Sequence, residues 1–257
     1  MSAKIHKTYI SKYVLLLEID NPPANSLSSK IKKQFGKVIG EIESNHHLRA
    51  VVLTGKGDKF CVGDDLKEAT EFAKTDTGIL KNLRAFVKVI ARLENLSIPT
   101  IAACNGWTIG GGLELALCCD IRLASATARF KGVAVNIGLT ASGARLPKII
   151  GVGRAKYMLL TANSIDAETA LSYGLISSLH EPEELKAKAI ELAELIALKA
   201  PLAVKSTKKI INLSTVLSEN EMNFLSKEEL EELSNTKDYK IALEAFAKKE
   251  IPIFHGT

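Results

Sequence analysis

Apolar residues recur along this chain at two spacings, and the spacing changes with position. Residues 13–19 and 50–54 are short, β-branched and leucine-rich runs that predict strands, whereas 28–43 places apolar residues three and four apart and predicts an amphipathic helix. Pro22 and Pro23 separate the first strand from that helix. A further helical pattern covers 78–96, and 120–124 is the next strand. Strands therefore alternate with helices, which points to an α/β fold with its loops at the strand-to-helix turns. From residue 155 onward the strand signal fades. Segments 155–160, 167–172, 184–198 and 226–249 carry helical spacing, interrupted at Ala200-Pro201. The expectation is a core over residues 1–195 followed by a helical region over 196–257.

Between these elements lies the run 99–120, PTIAACNGWTIGGGLELALCCD. From Ile101 to Cys119 its one charged side chain is Glu114, set just after Gly110, Gly111 and Gly112. Glycine lets the backbone take positive φ and come close to a bound group, and the apolar stretch that follows predicts a buried helix. The first N–H groups of such a helix are free donors with the helix dipole behind them. They suit a developing negative charge, and one well-aimed oxyanion donor lowers a barrier by roughly 2.7–4 kcal/mol. Glu114 falls within one turn of that point, where it is a candidate for proton exchange. The alternative is a carboxylate that merely caps the amides of its own first turn.

A second segment, 51–66, reads as a strand, a Gly-Lys-Gly-Asp turn and a short element bearing Gly63, Asp64 and Asp65. Together the two segments resemble the enoyl-CoA hydratase/isomerase (crotonase) superfamily. The family pattern G-x-G-x-x-F-x-x-G-x-D-L falls on Gly55 through Leu66, and N-G-x-x-x-G-G-G-x-E-L-A-x-x-C-D falls on Asn105 through Asp120. The likeness runs from NPPANSLS at 21–28 to AFAKKEIPIF at 245–254. It implies a crotonase (ClpP-like) spiral core of repeated ββα units and a helical C-terminal region that packs a homotrimer or a dimer of trimers. It also implies an acyl-CoA thioester as substrate, with no cofactor besides the coenzyme A that the substrate carries and no metal.

Roles follow from the same resemblance. The backbone N–H groups of Asp64 and Gly111 would form an oxyanion hole for the thioester carbonyl. Gly63 allows close approach, and Asp64, Asp65, Leu66 and Lys67, with Gly110, would line the acyl-CoA channel. Asp65 is also expected to hold its loop. Glu114 matches the first of two catalytic glutamates. Phe246 matches an aromatic residue that contacts the CoA nucleotide of a neighbouring subunit; flanked by Ile241 and Leu243, it reads equally as a core anchor.

The second catalytic glutamate is missing. Counting from Phe130, its position holds Ala134, and residues 133–143 contain no acidic residue, so a shift in register does not restore it. Asn136 lies close by, but an amide is no general base. Asp64 also departs from the small apolar residue usual at its position; only its N–H is needed for the hole, and its side chain either adds charge near the substrate or points to solvent. One acid–base group contributes about 10²–10⁴-fold and the oxyanion hole a separate, comparable factor. A chain with the hole and Glu114 alone therefore retains a route to hydration of a 2-enoyl-CoA to the 3-hydroxyacyl-CoA, the leading expectation. Isomerisation, decarboxylation or hydrolysis with one carboxylate is the alternative, as is a homologue that binds acyl-CoA or RNA without turnover.

Composition changes this picture little. At 257 residues, with 46% hydrophobic and 25% charged residues, the chain can bury one large core. MSAKIHKTYI has no apolar leader run, so a cytoplasmic location and no membrane span are expected. The net charge is +5, but the lysine clusters lack interleaved aromatics, and aromatics make up 5% of the chain. Solvated helix faces explain these clusters better than nucleic acid does. His6, His46, His47 and His180 read as surface positions and His255 as part of a frayed terminus. Cys61, Cys104, Cys118 and Cys119 lack metal-ligand spacing and read as buried thiols, the last two on different faces of their helix.

Overall fold

The computed structural model describes residues 3–74 and 77–257. Among the described residues the first half runs β1 (Lys4–Tyr9), β2 (Val14–Asp20), α1 (Ser29–Ser44), β3 (Ala50–Gly55), β4 (Lys59–Cys61), α2 (Leu66–Phe72), α3 (Gly78–Glu94), β5 (Thr100–Cys104), β6 (Trp107–Ile109) and α4 (Gly111–Leu117). The chain continues with β7 (Ile121–Ser125), β8 (Arg129–Lys131), a single 3-10 turn (Ala134–Ile137), α5 (Leu146–Ile150), α6 (Val152–Thr161), β9 (Ile165–Asp166), α7 (Ala167–Ser172) and β10 (Ser178–His180). Four helices close it: α8 (Leu185–Ala197), α9 (Pro201–Leu213), α10 (Glu219–Ser234) and α11 (Lys237–Lys248).

The described strands form two sheets. One has the order β1-β2-β3-β5-β7-β10 and the other β4-β6-β8-β9. The first is parallel except for its β1-β2 edge, and the second is parallel from β4 to β8. Each repeat thus contributes one strand to each sheet and then a helix, as in β3-β4-α2 and β5-β6-α4, which is the ββα spiral expected from the resemblance.

Alternation builds the core. In β2, Leu15, Leu17 and Ile19 face one side of the large sheet and Val14 and Leu16 the other; β3 repeats this with Val51 and Leu53 against Ala50 and Val52. The first side packs on α1, α3 and α4. On the second, α8 lays Leu185, Ala189, Ala193 and Ala197, spaced four apart, across the small residues Ala50 and Ala103. Helix α1 begins at Ser28, whose hydroxyl accepts from the Ile31 amide at 3.4 Å, and it buries Ile31, Phe35, Val38, Ile39 and Ile42.

Several expectations are corrected. The segment after residue 155 holds two strands, β9 and β10, too short to leave a period-two signal. The pattern over 226–249 is two helices, because Thr236 caps α11 by accepting from the Tyr239 amide. The C-terminus is not frayed: Asp238 accepts from the amides of His255 and Gly256, each at 2.8 Å, and Arg49 donates to the Phe254 carbonyl at 2.7 Å. Phe246 is no core anchor, being 85% exposed. His6 and His180 are half-buried, the former bonded to Asp20 and the latter to Ser178. All four cysteines are buried and free, but the thiols of Cys118 and Cys119 donate to the same Leu115 carbonyl, both at 3.3 Å. Among the described residues no helix is long and apolar enough to cross a membrane, and no His/Cys/Asp/Glu group of metal-binding form occurs.

Candidate active site

The site forms where β4 and β6 end side by side and their chains turn into helices. Beyond β4 the backbone passes through Gly63 at φ +87°, a conformation that side chains rarely adopt. A Cβ there would also meet the Gly111 nitrogen and the Ile109 carbonyl oxygen, each at 2.9 Å. At Gly112 a Cβ would lie 2.0 Å from the Cys61 carbonyl oxygen. Bare backbone is thus required on both sides, and it draws the peptide after Gly63 against the start of α4. The amide of Asp64 and the first amide of α4, Gly111, donate no hydrogen bond among those linking the described residues.

Asp65 N-caps α2, accepting from the amides of Lys67 at 3.0 Å and Glu68 at 3.3 Å, and also accepts from the Ser26 hydroxyl at 3.2 Å. Its side chain holds the loop, and Leu66 and Lys67 beyond it are exposed. The Asp64 side chain points neither freely to solvent nor into empty space: it forms an ion pair with Lys32 of α1. The Lys32 side chain is 4% exposed and that of Asp64 29%. Lys32 also donates to the Asn82 side chain at 2.8 Å and lies 5.6 Å from the centre of the Phe86 ring, both on α3.

Glu114 sits in the first turn of α4. Its amide donates to the Gly110 carbonyl at 3.0 Å, but its side chain does not cap that turn. Instead Oε2 accepts from Arg145 Nη1 at 3.0 Å. The same guanidinium grips Glu94 at the end of α3, with Nε to Oε1 at 2.9 Å and Nη2 to Oε2 at 2.6 Å. Glu94 therefore strengthens the hold of Arg145 on its proton, raising its pKa, while Glu114 adds to the effect. The other oxygen of Glu114, Oε1, is buried and has no hydrogen-bond partner among the described residues. A buried carboxylate oxygen in that condition carries a desolvation cost of about 1–3 kcal/mol or more unless water or substrate meets it.

Ala134 lies in the 3-10 turn after β8. It lines, with Gly110, Val133, Ser142, Leu159 and others, a cavity of about 310 Å³. The space beside Gly110 is thus bounded by alanine and valine. Asn136 is exposed on the same turn. Cys61 is fully buried under the loop, and burial pushes its thiol up to about 12, so it is not a nucleophile.

The structure thus gathers Gly63, Asp64, Gly110, Gly111 and Glu114 in one place and leaves Phe246 on the outer surface of α11. Sequence reasoning missed Lys32, Asn82, Phe86, Glu94 and Arg145. For Lys32 there was a signal: it stands three residues before Phe35 and seven before Ile39, on the apolar stripe of α1, where a lysine needs a buried partner. Arg145, thirty-one residues from Glu114, left none.

The chain is similar to known proteins over nearly its whole length. The family described as enoyl-CoA hydratase/isomerase matches residues 9–257. The short-chain-enoyl-CoA hydratase of Clostridium acetobutylicum is 40% identical over 244 residues, covering 92% of each chain. The (E)-benzylidenesuccinyl-CoA hydratase of Thauera aromatica is 35% identical, covering 96% of this chain and 98% of its own. Among solved structures, an enoyl-CoA hydratase from Bacillus anthracis superimposes with a TM-score of 0.95 at 32% identity, covering 98% of this chain and 99% of that one.

Proposed function

The chain belongs to the enoyl-CoA hydratase/isomerase family, and from that membership we propose that it adds water across the double bond of a 2-enoyl-CoA to give the 3-hydroxyacyl-CoA. The relatives at 35–40% identity that are named as hydratases support this reaction. The thioester oxygen accepts from the N–H groups of Asp64 and Gly111, which polarises C3 and stabilises the enolate as it forms. Water attacks C3; its proton passes to Glu114 Oε1, and the same oxygen returns the proton to C2 as the enolate collapses. Atoms balance with one carboxylate, which acts first as base and then as acid. Ala134 leaves this double duty to Glu114.

The observation that carries the reading is the buried, unpartnered Oε1 of Glu114, one helical turn from the free Gly111 amide in an otherwise uncharged helix. Asp65, Leu66 and Lys67 border the acyl-CoA channel in this reading, and the exposure of Phe246 on α11 supports its contact with the nucleotide of a CoA held by a neighbouring subunit. Ala134 favours one second reading: isomerisation, decarboxylation or hydrolysis of an acyl-CoA through the same hole with a single carboxylate.

The test is loss of conjugated-thioester absorbance when the protein meets crotonyl-CoA and longer 2-enoyl-CoAs. Glu114→Gln is expected to abolish that loss while acyl-CoA binding persists. Intact binding with no turnover by the parent protein overturns hydration in favour of the second reading.

A further inference from the structure

We propose that Lys32 is a charge-balancing positioning residue of the oxyanion hole, acting through Asp64 so that a site carrying a carboxylate can still hold an enolate. This rests on the reading of the Asp64 amide as one of the two donors. The difficulty it resolves is local. The carboxylate of Asp64 belongs to the same residue as the amide that would face the thioester oxygen, so covalent geometry keeps the two within about 5 Å. The thioester oxygen lies about 3 Å beyond that amide, and an uncompensated negative charge about 6 Å from it opposes the enolate by about 100-fold at an effective dielectric of about 20.

The surroundings of Lys32 are built to prevent this. Its ammonium is drawn under the loop from α1, pairs with Asp64, and is held from α3 by the Asn82 side chain at 2.8 Å. The Phe86 ring that it approaches, at 5.6 Å, also borders the other donor, since a Cβ on Gly111 would lie 3.3 Å from Phe86 Cζ. Leu27, bridged to Asp64, borders Gly111 as well, its Cδ1 at 3.1 Å from such a Cβ. The ion pair therefore sits at the junction of the two segments that carry the donors. Stability alone does not account for it, because apolar residues of similar volume usually match or exceed a buried pair. Its consequence is electrostatic: with both partners present the hole sees a dipole rather than a charge.

The signs of the single substitutions distinguish this from a structural role. The readout is the enolate fraction of bound acetoacetyl-CoA, measured by its near-ultraviolet absorbance, with kcat for hydration alongside. Asp64→Asn keeps the amide and leaves the Lys32 charge unopposed, so the bound enolate-to-keto ratio should rise roughly 10-fold. Lys32→Met leaves the carboxylate unopposed and should lower the ratio roughly 10-fold to 100-fold. The double substitution should return near the parent value. A merely structural pair predicts that both single substitutions shift the ratio in the same direction, or not at all, and either result overturns the proposal. If Lys32→Met fails to fold, Asp64→Asn decides: a ratio unchanged or lowered overturns it. Should the parent bind acetoacetyl-CoA yet hydrate nothing, the hydration reading falls and the enolate ratios still judge Lys32. A parent that binds no acetoacetyl-CoA overturns the oxyanion-hole reading and this inference with it.

Discussion

Arg145 presents three of its nitrogens to two carboxylates, and this decides which oxygen of Glu114 is available. With Oε2 tied at 3.0 Å and the guanidinium itself fixed by Glu94, the side chain of Glu114 cannot turn without breaking a charge-assisted bond. Arg145→Gln is therefore expected to lower kcat by about 10–100-fold through misplacement of Oε1. KM for the acyl-CoA should stay nearly unchanged. Arg145→Lys should not restore the rate, because one ammonium cannot span both partners. Steady-state kinetics on the soluble variants checks this, and a rise in KM at constant kcat would contradict it. At this scale the sequence revealed Glu114, because a lone carboxylate in an apolar helix stands out. It concealed Arg145, because an arginine at the end of a loop, just before a short helix, looks like any solvated residue until the fold places it beside its partner.

Elements are tied to one another through a few polar residues, of which Asp120 is the clearest. It ends the segment before β7, where its carboxylate accepts from the Thr100 amide at 2.7 Å, the Thr100 hydroxyl at 3.0 Å and Lys208 Nζ at 2.7 Å. Lys208, 9% exposed, also donates to the Ile98 carbonyl at 3.0 Å. One side chain thereby joins the starts of β5 and β7 to α9. Asp120→Ala leaves the ammonium buried without its counter-charge and should cost about 3–5 kcal/mol. For a chain of this length that lowers the melting temperature by roughly 10 °C, readable by calorimetry. A change of only a degree or two would show that α9 is held by packing instead. The strands β2, β3 and β7 and the helices α1, α3 and α4 were legible because each shows a period or an apolar run, whereas β4 and β6, at three residues each, do not. The strands β9 and β10, at two and three residues, show none. The break between α10 and α11 was hidden because the helical spacing runs through Asn235 and Thr236, and the cap acts through a single hydroxyl.

At the scale of the whole molecule, the alternation of strand and helix revealed the α/β class, but the division of strands between two sheets depends on pairings that no local pattern records. What the alternation also leaves open is the outer surface. Val135 and Ile137 on the 3-10 turn and Val152 and Leu160 on α6 are all exposed, and those two elements pack against each other. On α11 and the segment after it, Phe246, Ile251 and Ile253 are 85%, 90% and 73% exposed. Monomers rarely present apolar clusters of this kind to water, and a clustered patch on a closed fold is ordinarily covered by a second copy. If the chain associates into the trimer or pair of trimers that the family resemblance implies, such faces are buried and sedimentation equilibrium should return three or six times the 27.8 kDa of one chain. Charges at Ile137→Glu and Leu160→Glu together should shift the mass toward the single chain. Both positions lie outside the core, so circular dichroism should remain that of the folded protein. If the mass stays that of the parent, the cluster on the 3-10 turn and α6 is not the contact. If the parent itself sediments at 27.8 kDa, Phe246 has no neighbouring subunit to serve, and CoA must be held by one chain alone.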